Sequence, residues 1–185
     1  MATVYDRAFK PIDRNQAVAK IVVTASGAAG NVVATPNGSG GFVPNIYHWR
    51  LYLVLLPNPL LPTRTRSVLL DIIPANPPTG CLVISSKEMP ASTASGKVEL
   101  ELPPAGSPTV QQIVDLFKNK GMDRYMFDAT GSGCLWWVIV GVRHLEEAGL
   151  VEAGASRALQ VFHHEHAQAH PERHPLPVRQ GRFYW

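Results

Sequence analysis

The sequence predicts an α+β fold: an antiparallel β-meander of four to five strands packed against two to three helices. Two patterns carry the expectation. Up to Leu102 the apolar residues alternate or run in short β-branched stretches broken by Gly, Pro and Asn, as half-buried strands and their turns do. After Ser107 they recur at three- and four-residue steps, the spacing of amphipathic helices. Composition shows that such elements have a core to share. Of the 185 residues, 45% are hydrophobic and 17% charged, ordinary for a folded chain. The length fits one domain, 1–185, without internal repeats.

Residues 1–18 read as a polar lead-in that docks on the fold, and Ala19-Lys-Ile-Val-Val-Thr-Ala25 as the first strand. The Gly/Ala/Asn-rich stretch 26–44 is too poor in large apolar residues to form core and reads as a flexible loop. It has neither the Gly-Lys-Ser/Thr ending nor the following helix of a phosphate loop. Asn45 to Leu56 is the strongest strand. Its alternation puts His48, Arg50, Tyr52 and Val54 on one face, with Tyr47, Trp49, Leu51, Leu53 and Leu55 on the other. After a Pro-rich connection, Arg66 to Ile73 is a strand pairing with it. Its Asp71 shares a face with Leu69 and Ile73, so it is either a buried carboxylate needing a partner or an edge-strand residue. Gly80 to Ser85, with Cys81 in the core, and Gly96 to Leu102 complete a meander with one wet face.

Ser107 or Thr109 caps a helix whose stripe is Val110, Ile113, Val114 and Phe117 and whose end is Gly121. A loop anchored by Tyr125 and Phe127 then leads through Gly131-Ser132-Gly133 into Cys134, which opens a second helix ending near Gly149. Ala155 to about His166 is a third helix. The tail 167–185 is extended, its terminal aromatics covering a sheet edge or the core.

A net charge of +3 permits an anionic ligand, but no dense Lys/Arg stripe marks a nucleic-acid protein. Arg64, Arg66, Arg173, Arg179 and Arg182 are the residues such a reading would need. No apolar run reaches the roughly 18–20 residues of a membrane span, and the first residues do not form a secretory signal. A cytoplasmic protein is therefore expected. Cys81 and Cys134 are far apart and not metal-spaced. His163, His166 and His170 fall on one helical face, either as solvated surface or as an adventitious metal site, and no functional metal or cofactor is expected.

Cys134 is the residue with chemistry. A thiol at the first turn of a helix meets unpaired N–H groups and the positive end of the helix dipole, which favour thiolate. A small buried structural cysteine is the alternative. A thiol nucleophile needs a base, and the base needs an orienting group; Cys134, His48 and Asp71 fill those three roles. N–H groups around Ser132, Gly133 and Cys134 would form the oxyanion hole, and Arg50, Tyr52, Tyr125, Trp136 and Trp137 would line the substrate pocket. Two adjacent tryptophans on a helix are more often core than pocket.

This order resembles the circularly permuted papain-like thiol enzymes, the group that includes lecithin:retinol acyltransferase. His48-Trp-Arg-Leu-Tyr-Leu matches the histidine strand, Asp71 the orienting position, and Tyr125 through Cys134-Leu-Trp-Trp-Val the entry to the nucleophile helix. The resemblance covers residues 45–145 and is one of layout. Gly133 stands where that group usually has Asn, and Asp71 where it often has His. The chain also resembles a group of small fungal proteins with a His-Trp…Asp…Gly-Cys-x-x-Trp-Val pattern, which favours specialised-metabolite biosynthesis. The expected function is cysteine-dependent acyl transfer on a thioester, ester or amide, from a small-molecule or acyl-carrier substrate. A non-catalytic small-molecule-binding protein, or a non-covalent cyclase with an aromatic pocket, is the rival reading.

Overall fold

The computed structural model describes residues 3–27, 46–57 and 65–185. In chain order its elements are β1 (Val4–Tyr5), α1 (Pro11–Arg14), β2 (Val18–Gly27), β3 (Tyr47–Leu55), β4 (Ser67–Asn76), β5 (Thr79–Lys87), β6 (Val98–Leu102), α2 (Val110–Asn119), β7 (Tyr125–Met126), α3 (Cys134–Glu147), α4 (Ala155–Ala169) and β8 (Arg182–Phe183). The strands form one sheet in the order β6-β2-β3-β4-β5-β7-β8, with β1 added parallel to β5 and every other pairing antiparallel. This is the α+β arrangement expected, with one difference of path. The meander holds from β2 to β5, but β6 returns to the free edge of β2, because β1 and β7 occupy the outer edge of β5.

The strand registers separate two faces. On one, Val23, Ala25, Trp49, Leu51, Leu53, Leu70, Ile72, Leu82 and Ile84 pack against apolar residues of α2, α3 and α4, including Phe117, Trp137 and Leu159. The other carries a smaller apolar cluster, Val22, Tyr52, Val54, Leu69 and Ala91. Beside that cluster lie Ser26, His48, Arg50 and Asp71.

Helix starts follow local chemistry. Thr109 and Gln112 form a reciprocal capping box on α2. Glu146 of α3 accepts from the N–H groups of Gly154 and Ser156 at the start of α4. The lead-in docks through β1, buried Phe9 and α1, whose Asp13 forms a two-point pair with Arg66 at 2.6 and 3.0 Å. The expected extended tail is shorter than 167–185: α4 runs to Ala169, because Leu159, His163 and Ala167 continue its buried face. Ser26 and Gly27 belong to β2, and the rest of the expected loop lies outside the described residues.

Candidate functional site

β2 and β3 pair along their whole length to Gly27↔Tyr47, and β4 and β5 pair to Asn76↔Thr79. Between these hairpins the β3–β4 ladder runs only from Val54↔Ser67 to Leu51↔Leu70. Beyond Leu51 and Leu70 the sheet forks, and His48, Arg50 and Asp71 all lie past that point. The N-terminal end of α3 meets the fork, where the backbone N–H of Trp49 hydrogen-bonds to Cys134. An unladdered strand edge thus supplies a donor to the sulfur.

The His48 ring joins the other two groups. Its Nε2 lies 2.7 Å from Asp71 Oδ1, and the ring also pairs with the Cys134 thiol. Arg50 donates from Nε to Asp71 Oδ2 at 3.1 Å and from Nη1 to Ser26 Oγ at 3.2 Å. Both carboxylate oxygens are therefore engaged, as a buried carboxylate requires.

Charge is distributed accordingly. Burial opposes protonation of His48, but the charge of Cys134 and the hydrogen bond and charge of Asp71 outweigh it and raise its pKa to about 10. Burial likewise disfavours the Cys134 thiolate, and the His48 charge, the His48 hydrogen bond and the Trp49 N–H overcome it, so the thiol pKa is lowered. The two shifts run in the sense of an imidazolium–thiolate pair. Cys81, the other free cysteine, differs: burial raises its pKa.

The segment before Cys134 is tightly constructed. Asp128 Oδ1 accepts from the N–H groups of Thr130 and Ser132 and from the Thr130 hydroxyl, and Asp128 N–H donates to Ser132 O. Gly133 occupies the N-cap position at φ 133°, where side chains are disfavoured, and a Cβ there would stand 2.5 Å from Tyr125 Oη. The Ser132 N–H is thus committed to Asp128 and is not an oxyanion donor. Helix geometry leaves the N–H groups of Cys134 and Leu135 without intrahelical acceptors, so these are the candidates.

Several expected pocket residues belong elsewhere. Arg50 is bound to Asp71 and Ser26, making it part of the charge network. Tyr52 is buried in the small apolar cluster, with its hydroxyl on Ser92. Tyr125 is fully buried, and so is Trp137, whose Nε1 donates to Met122 O at 2.7 Å. Trp136 is partly buried, with Arg143 over its ring. Arg50, Tyr52, Tyr125 and Trp137 are thus held by contacts that sequence does not reveal, while Trp136 keeps a partly exposed face.

The histidine face is solvated only in part: His170 is exposed, His166 half-buried and His163 buried. His163 and His174 are buried against Trp49, and His174 also against Tyr47. Among the described residues no group of three or more His, Cys, Asp or Glu is placed to hold a metal ion. Of the arginines a nucleic-acid surface would need, Arg66 is buried against Asp13 and Arg64 lies outside the described residues. Among the described residues no helix is long and apolar enough to cross a membrane.

Fold and site together define an α+β protein with a Cys–His–Asp cluster at the fork of an antiparallel sheet. The chain belongs to the DUF7770 family, a domain of unknown function, whose match spans residues 31–184 and so includes all three of these residues. No curated protein and no solved structure matches it.

Proposed function

We propose that this protein is a cysteine-dependent acyl-transfer enzyme with Cys134 as nucleophile, His48 as acid and base, and Asp71 as the group that orients His48. The observation that carries the reading is the His48 ring held between Asp71 Oδ1 and the Cys134 sulfur. Three residues distant in sequence meet in the order of contact a thiol nucleophile needs. The order of His48, Asp71 and Cys134 in the sequence, which resembles that of permuted papain-like enzymes, supports the same reading.

The Cys134 thiolate attacks the substrate carbonyl carbon, forming a C–S bond while the carbonyl π electrons move to oxygen. N–H groups of Cys134 and Leu135 face that oxyanion at the positive end of α3. Collapse expels the alcohol, thiol or amine, which takes its proton from the His48 imidazolium, and leaves a thioester on Cys134. Neutral His48 then removes a proton from the acceptor as it attacks. The C–S bond breaks, and the thiolate–imidazolium pair returns. Water as acceptor gives hydrolysis; an amine or an internal nucleophile gives amide formation or cyclisation. In this reading the donor is a cytosolic small-molecule or carrier-bound acyl group. Burial of Trp137 and Tyr125 weighs against the alternative of an open aromatic binding pocket.

Iodoacetamide alkylation against pH tests the assignment. Cys134 is expected to react with an inflection well below the ordinary thiol value, Cys81 to stay unreactive, and Cys134→Ala to lose turnover of an activated ester. An ordinary thiol inflection together with full activity of Cys134→Ala overturns it.

A further inference from the structure

We infer that Tyr125 is a positioning residue that aims the oxyanion-binding N–H of Cys134, and that the C-terminal strand holds it in place. The inference rests on the acyl-transfer reading of Cys134. Tyr125 is fully buried in β7, and its hydroxyl donates to Gly133 O at 2.7 Å while accepting from Gly181 N–H at 3.0 Å. Gly133 is the residue immediately before the nucleophile. A trans peptide is planar, with its C=O and N–H antiparallel. Fixing the Gly133 carbonyl therefore fixes the direction of the Cys134 N–H on the far side of the same plane. Trp137 N–H donates to the same carbonyl at 3.0 Å, so the plane is held by two donors on different elements.

The tail completes this clamp. β8 pairs with β7 through Tyr125↔Phe183 and Met126↔Arg182, and Tyr184 N–H donates to Arg124 O. Arg179 Nη1 donates to Thr130 Oγ1 at 2.7 Å, tying the tail to the loop that Asp128 organises. The approach is close enough to require glycine. A Cβ on Gly181 would fall well inside contact distance of both Tyr125 Oη and Met126 O. Burial, above all, pushes the Tyr125 pKa up against the opposing bond from Gly181, so the hydroxyl remains a donor across the working pH range. Among the described residues no hydrogen bond or ion pair joins these groups to His48 or Asp71, so the clamp serves the oxyanion side of the site rather than formation of the thiolate.

That division gives the test. Acylation of Cys134 by p-nitrophenyl acetate needs oxyanion stabilisation, whereas alkylation by iodoacetamide needs only the thiolate. Tyr125→Phe keeps the ring and removes the clamp. Losing an oxyanion donor outright costs about 10²–10³-fold. Misaiming one is expected to slow acylation about tenfold, by that same standard, and to leave the alkylation rate and its pH inflection as in the unsubstituted protein. Gly181→Ala, which displaces the strand from the hydroxyl, is expected to act in the same direction. Equal loss in both reactions would make Tyr125 a general structural residue and overturn the inference, as would no change in either. Failure of the acyl-transfer reading is distinguishable because it appears in the unsubstituted protein, as a Cys134 that p-nitrophenyl acetate does not acylate; the inference then falls with it.

Discussion

Asp71 gives one oxygen to the His48 ring and the other to Arg50, so a single carboxylate orients the imidazole while its own position is fixed from the opposite side. The cost of burying that charge is offset by two charge-assisted hydrogen bonds. Asp71→Asn preserves size and removes the charge. It is expected to lower kcat/KM by about 10²-fold or more, as loss of the orienting carboxylate does in related relays. The pH profile gives the sign. Reactivity rises as pH passes the lowered Cys134 value and falls as His48, raised to about 10, loses its proton. Without the Asp71 charge the alkaline limb moves toward neutral pH, since both the hydrogen bond and the charge that hold the proton are weakened. An alkaline limb unmoved in Asp71→Asn would mean that Asp71 does not hold the His48 proton.

Elements set by local periodicity were legible in the sequence, and those set by distant pairing were not. Period-two alternation places His48 and Arg50 on one face of β3, and period 3.6 gives α2, with Thr109 as its cap. β1, β7 and β8 are two-residue strands with no period to read; they exist because their partners are already in place. The fork between β3 and β4 is likewise invisible, since register belongs to the pair and not to either strand. For the same reason Arg50 and Tyr125 look free in sequence and are committed in the fold. The lead-in shows how far such pairing reaches. Asp13 of α1, buried to 1% exposure, receives both Nε and Nη2 of Arg66. Asp13→Ala removes both hydrogen bonds from a buried guanidinium and is expected to cost about 3–5 kcal/mol. Urea denaturation of the variant measures this; a loss below about 1 kcal/mol would place the pair with weak surface bridges.

Across the whole molecule the helical layer and β3 meet at a histidine cluster. His174 packs edge-on against Tyr47 at 5.0 Å and Trp49 at 5.7 Å, the two residues flanking His48, and His163 meets Trp49 at 5.7 Å. Arg173 O accepts from Tyr47 N–H at 3.1 Å, so this turn also completes backbone pairing of β3. Among the described residues His163 Nε2 and His174 Nδ1 have no hydrogen-bond partner, and both rings are buried. Burial first, then the neighbouring His166, His163, His170 and Arg173, lowers the His174 pKa from 6.5 to about 4; burial, His164 and His166 lower that of His163. Glu172 is the acidic group nearby, and it faces Arg173 and His170. Between the folded and unfolded values the unfolded chain binds more protons, so stability increases with pH there. The contribution is complete above about pH 6.5 and is lost as pH falls toward 4, with a ceiling of about 3 kcal/mol for His174 at ~1.4 kcal/mol per unit. Thermal melts are therefore expected to show a falling Tm from pH 7 to pH 5, with activity lost on the same slope because β3 carries His48. His174→Phe keeps the aromatic contacts and removes the titrating group. It is expected to flatten that slope, and a slope unchanged in the variant would assign the acid sensitivity to other groups.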